Sequence, residues 1–198
     1  RSCAFPDETP TSSTLPESKM MYPNIEKLSF DFSGTKIEGT LTSQIVRFIK
    51  QLSSLQSLSL KFEDSLLIEG LDSLSTIFQS LPTLNSIALD FRKNPKMTDE
   101  KISSFLESLK YALKNTKSLS LSFEECSVFK ASSFKTLISL LKCLNSPEAL
   151  HLNLSDCYFE DIIEFSKALN DLKSLKSLSL LLGRWKDLIS KKFTLLVN

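Results

Sequence analysis

The sequence predicts an α/β solenoid of about six strand–helix units, a curved parallel sheet with helices on its outer side. Three observations carry that prediction. A seven-residue phrase recurs six times: EKLSFDF at 26–32, QSLSLKF at 56–62, NSIALDF at 85–91, KSLSLSF at 117–123, EALHLNL at 148–154 and KSLSLLL at 176–182. Within each phrase apolar residues alternate with small or polar ones, the pattern of a short strand with one buried face. Between phrases the apolar residues recur at three- and four-residue steps, the pattern of an amphipathic helix.

Aligned on their first strong apolar residue (Leu28, Leu58, Ile87, Leu119, Leu150, Leu178), the copies lie 30, 29, 32, 31 and 28 residues apart. A further apolar residue three positions upstream opens four copies (Ile25, Leu55, Leu84, Leu175); Thr116 and Pro147 replace it in the other two. The first helix is read from Leu41, Ile45, Phe48, Ile49 and Leu52, and the second from Leu71, Leu74, Ile77, Phe78 and Leu81. The third follows Ile102, Phe105, Leu106, Leu109 and Leu113, the fourth Phe134, Leu137, Leu141 and Leu144, the fifth Ile162, Phe165, Leu169 and Leu172. Thr98 before Asp99 and Glu100 gives the third helix an N-cap and an acidic first turn. One such unit cannot bury both apolar faces alone, whereas stacked copies can.

The phrase LxxLxLxF, followed by a turn and an amphipathic helix, resembles the leucine-rich repeat. Its period near 30 residues is similar to the ribonuclease-inhibitor-like, α/β horseshoe class, over roughly residues 24 to 183. One departure concerns the column where the family carries Asn or Cys. Ser65, Asn94, Cys126 and Cys157 fall three residues after Phe62, Phe91, Phe123 and Leu154, about two positions late. The strands are therefore expected to run about two residues further before the turn, and this column to satisfy backbone groups inside it.

The ends do not repeat. Residues 1–22, with Pro6, Pro10 and Pro16 among Ser, Thr and Glu, read as a flexible tail or linker, leaving 23–198 as the repeat domain. They contain no apolar h-region and do not read as a secretory signal. Without an initiator Met, the chain reads as processed, excerpted from something longer, or preceded by foreign residues. After the last phrase, RWKDLIS reads as a shortened helix and FTLLV as a strand, with Trp185 expected to plug the open end of the core. Neither end resembles a polar cap.

Composition narrows function by exclusion. A net charge of +1, from 24 basic and 23 acidic residues, gives no global pull toward nucleic acid or anionic membrane. No apolar run is long enough to span a bilayer. Four cysteines without a CxxC pair, and one histidine, point to reduced thiols and an intracellular, cytoplasmic setting rather than to a zinc or disulfide framework. Gly34, Gly39, Gly70 and Gly183 are not spaced for a phosphate-cradling loop. The pairs Glu63–Asp64 and Glu124–Glu125 are the best acid–base candidates, but an open, solvated position lacks the burial that tunes a carboxylate for catalysis. Pairing of His151 with Cys126 or Cys157 fails on direction: the cysteines face the turn interior and His151 the opposite side. No catalytic residue, cofactor, metal or small-molecule substrate is expected.

Side chains between the buried leucines must leave the core, so they define a candidate binding face in three columns. The first is Ser29, Ser59, Ala88, Ser120, His151, Ser179; the second Asp31, Lys61, Asp90, Ser122, Asn153, Leu181; the third Ser33, Glu63, Arg92, Glu124, Ser155, Gly183. The partner-facing candidates are Asp31, Lys61, Glu63, Asp90, Arg92, Glu124, His151 and Asn153. Charges alternate in sign along the last two columns, so neighbouring strands about 4.8 Å apart can pair them on a solvated surface. Such a face is a poor phosphate binder. Six strands offer roughly 300–400 Å², against about 800 Å² per partner in a standard interface, so loops, helices, the tail or further repeats must contribute. The expected function is a non-catalytic protein-interaction module or structural subunit of a larger assembly. The alternative is a substrate-recognition fragment of a larger regulatory or enzymatic protein.

Overall fold

The computed structural model describes residues 22, 24–37, 39–65, 71–94, 97–114, 116–126, 128–157 and 161–183. Strand and helix alternate throughout: β1 (Lys27–Asp31), α1 (Gly39–Lys50), β2 (Ser57–Lys61), α2 (Leu71–Ser80), β3 (Ser86–Asp90), α3 (Asp99–Ala112), β4 (Ser118–Ser122), α4 (Ala131–Lys142), β5 (Ala149–Asn153), α5 (Ile162–Asn170) and β6 (Ser177–Leu181). The six strands form one open, curved, parallel sheet in chain order, β1 to β6. No helix among the described residues is long and apolar enough to cross a membrane. Residues 1–21 of the stretch read as a tail (1–22), the closing helix and strand, and the Trp185 plug lie outside the described residues.

The pairing register is the alignment of the sequence phrases. Leu28 stands opposite Leu58, Leu58 opposite Ile87, Ile87 opposite Leu119, Leu119 opposite Leu150, and Leu150 opposite Leu178. Each strand is five residues long, yet its hydrogen-bond ladder continues into the turn as the displaced column requires. Phe62 N–H donates to Asp90 O at 2.7 Å and Phe91 N–H to Ser122 O at 2.8 Å. Two residues later Asp64 N–H reaches Arg92 O at 2.9 Å and Lys93 N–H reaches Glu124 O at 3.0 Å. Keeping that last bond forces one residue per turn into the left-handed region: Gly34, Asp64, Lys93, Glu125 and Asp156 have φ between 50° and 69°. Only the first is a glycine, and each of the others tolerates a strain of about 1–2 kcal/mol so that the neighbouring turn can stack.

The core lies between sheet and helices. Leu58, Leu60 and Phe62 from one phrase and Leu119, Leu121 and Phe123 from another are each no more than 1% exposed. Phe32, Phe62, Phe91 and Phe123 stack as one aromatic column, with centroids 5.5, 5.5 and 5.6 Å apart and planes within 18° of parallel. Phe105 of α3 meets Phe91 edge-on at 5.5 Å. The predicted apolar stripes of α2 to α5 are all buried. The stripe of α1 is rotated from its prediction: Thr42, Ile45, Val46 and Ile49 are buried, whereas Leu41 is 40% exposed. Residues 42, 45, 46 and 49 share one face, and Leu41 lies about a quarter-turn from its centre. Phe48, also off that face, packs on Phe30 at 6.2 Å.

Helix ends tie successive units together. Thr98 caps α3 as predicted, its hydroxyl accepting from Lys101 N–H at 3.3 Å. Asp99 lies in the first turn of α3 as expected and does a second job besides. Lys130 stands at the N-cap of α4 and offers no acceptor, and the Asp99 carboxylate takes the N–H groups of Lys130, Ser132 and Ser133 at 2.9–3.1 Å. Burial works to raise the pKa of that carboxyl, but the donors on Ser133, Lys130 and Ser132 outweigh it and hold the group below the usual carboxylate value.

Two substitutions test this packing. Phe91→Ala should lower the unfolding free energy by about 3–5 kcal/mol, and Phe91→Leu by clearly less, because the same column carries Leu154 one layer beyond Phe123. Thr116 is 1% exposed and its hydroxyl has no partner among the described residues. Thr116→Val should therefore stabilise the chain by about 1 kcal/mol, read from urea denaturation midpoints.

Candidate functional site

The first two outward columns keep the expected register, since Ser29 pairs with Ser59, Ser120 with His151, and Asp31 with Lys61. Their centre is less solvated than the sequence suggested. Ser122 and Asn153 are each 7% exposed, and Ser59, Ala88, Ser120 and His151 are half-buried. Together they line an open trough of about 320 Å³ running from β2 to β6, bounded by Lys61 and Arg92 on one side and by His151, Asn153 and Leu181 on the other.

The expected charge pairing is present and has a centre. Arg92 gathers three carboxylates from three units, meeting Asp90 and Glu63 at 2.9 Å and Glu124 at 3.6 Å. Lys93 adds a second cation to Glu63 at 3.0 Å. Asn153 donates to Glu124 at 3.0 Å, extending the network to β5. At the β1 edge, Lys61 meets Asp31 at 3.5 Å with both side chains about half exposed, a solvent-screened pair that adds little.

Three predicted partner-facing residues have a local task that column position alone did not reveal. Asp31 accepts the N–H of Ser33 at 3.0 Å, Asp90 that of Arg92 at 3.1 Å, and Asn153 that of Ser155 at 3.2 Å. Each closes an Asx turn where its strand leaves the sheet. The Ser33 hydroxyl and N–H, with Lys61 adding a smaller attraction, hold the Asp31 carboxyl below its ordinary value. The signal was legible: Asp or Asn ends three of the six strands, two residues before the turn.

Behind the face, the displaced column does its expected work. Asn94 donates from Nδ2 to Phe62 O, Phe91 O and Arg92 O at 2.5–3.1 Å. The Cys126 thiol reaches Phe91 O and the Cys157 thiol Phe123 O, both at 3.0 Å. Burial pushes the Cys126 thiol up to about 11 and the Cys157 thiol higher still, so neither is a thiolate near neutral pH. Both sit on the core side of the turns, away from His151. Asn94→Ala should cost about 1–3 kcal/mol by orphaning buried carbonyls, while Cys126→Ser should cost less because a hydroxyl still donates. Thermal denaturation of both variants checks the order.

No protein-family model matches the sequence, and no curated protein matches it. A solved structure does. The chain described as the tropomodulin C-terminal domain of Caenorhabditis elegans superposes with a TM-score of 0.56, over 77% of this chain and 85% of that one, at 9% sequence identity. Such a likeness shows the arrangement of strands and helices and nothing of their chemistry. The fold is a curved, repeat-like α/β arrangement of alternating strands and helices, shared with that tropomodulin domain, and it fits a solenoid of leucine-rich-repeat type.

Proposed function

We propose that this chain is a non-catalytic protein-interaction module whose open sheet face, from β2 to β6, receives the partner. The Arg92 network carries the reading. It draws Glu63, Asp90 and Glu124 together across three strands, so the middle of the face is held in one arrangement before a partner arrives. Preorganisation of this kind lowers the ordering cost of association. The trough beside it gives a partner side chain a place to insert. An area below that of a standard interface means that the turns flanking the face also take part. A module of this kind needs no cofactor, and a face whose charges pair internally offers nucleic acid no cation cluster.

The test is affinity capture from source cells with the full chain as bait, followed by mass spectrometry. A double variant, Ser59→Arg with Ser120→Arg, covers the floor of the trough. The control, Lys135→Glu, changes an exposed residue on α4. Circular dichroism establishes that each variant folds. The face variant should lose the proteins that wild type and control retain; retention of the same set by all three baits overturns the proposal.

A further inference from the structure

Ser122 is the odd member of its column. Its neighbours in register are Asp90 and Asn153, both engaged by hydrogen bonds to their own turns. Ser122 is more than nine-tenths buried and lines the trough, and its buried hydroxyl has no hydrogen-bond partner among the described residues. A buried hydroxyl left unpaired is destabilising, and a ligand group entering between Asp90 and Asn153 removes that cost.

Charge around the notch is mixed, with acid in excess. The turns after β2, β4 and β5 place Glu63, Asp64, Glu124, Glu125 and Asp156 along one rim. The turn after β3 sets Arg92 and Lys93 among them, paired with Glu63 and Glu124, and Lys61 at the end of β2 adds a third cation, so five carboxylates face three cations and the rim keeps an acidic excess. At the far end Leu181 is 46% exposed and offers an apolar contact. The floor of small residues, Ser59, Ala88 and Ser120, crosses two inter-strand steps from β2 to β4, about 10 Å, the reach of roughly three residues of extended chain.

We infer that the trough seats an extended segment of a basic partner protein, with one polar group of that segment hydrogen-bonded to Ser122, cationic side chains along the acidic rim and an apolar side chain over Leu181. This deepens the proposed function and rests on it. The rim attracts a cationic segment and raises its association rate at low salt, while the hydroxyl fixes its register.

A phage-displayed library of random 12-residue peptides, selected on the full chain, tests the assignment. Enriched peptides should carry net positive charge and bind at least about tenfold more weakly to Ser122→Leu. Leucine is already accommodated in this column at Leu181, and circular dichroism and the denaturation midpoint verify that the variant folds. Binding should also weaken as salt rises from about 50 to about 300 mM, as the field of the rim is screened. Acidic or uncharged winners overturn the inference. Winners lost on the Ser59→Arg, Ser120→Arg face but insensitive to Ser122→Leu also overturn it, and leave the interaction module standing. Winners unaffected by any face substitution overturn both.

Discussion

Stacking in register of turns that bury their own carbonyl oxygens is the constraint on which this structure depends. The oxygen of Phe62 lies inside the solenoid, where water cannot reach it, and each further layer buries another such group. Ser65, Asn94, Cys126 and Cys157 resolve this with three different donors in one column, each reaching back to a carbonyl of its own turn or the preceding one. With those oxygens satisfied, the phenylalanine column can stack at about 5.5 Å and the strands can pair without slippage. A slip of one residue would send Leu58, Leu60 and Phe62 to the solvent side. The left-handed residues Asp64, Lys93, Glu125 and Asp156 are a consequence of the same constraint, since the last bond of the ladder cannot form otherwise.

The outward face inherits its geometry from that stacking. Because the units repeat in register, residues about 30 apart in sequence become neighbours, and Glu63, Arg92 and Glu124 meet although no local pattern joins them. Arg92 is the only cation of the third column and serves carboxylates on both sides and on its own strand. Its guanidinium suits this because a planar fork of donors engages several oxygens without crowding. The result is a surface that is charged yet internally ordered, leaving shape, the small floor and the Ser122 notch to provide discrimination.

Much of this was legible in the residues. Alternation in the six phrases located every strand and the buried side of β2 to β5, although Leu178 of the edge strand β6 is 50% exposed, and three- and four-residue steps located the buried stripes of α2 to α5. The outward columns could be written down from the alignment alone. Other features depended on neighbours that are remote in sequence. Asp99 reads as an ordinary first-turn acid of α3, and only the adjacent helix, with a lysine at its N-cap, turns it into the cap of α4. Asp31, Asp90 and Asn153 read as partner-facing side chains, while their turns claim them first. Leu41 was placed on the buried stripe because a spacing of four residues fits a helix face, although Thr42 and Val46 lie closer to the line of contact.

By itself the sequence determined the layer architecture, the register of the sheet and the identity of the residues on each face, because period two, period 3.6 and a near-constant repeat length are properties of order along the chain. Tertiary structure alone decided which polar groups are spent internally and which remain. Asn94 and Asp99 are committed to backbone donors and acceptors of other units, Arg92 to three carboxylates, and Ser122 to none of the described residues. Those differences arise from distances between layers, and a distance between layers is not written in any one of them.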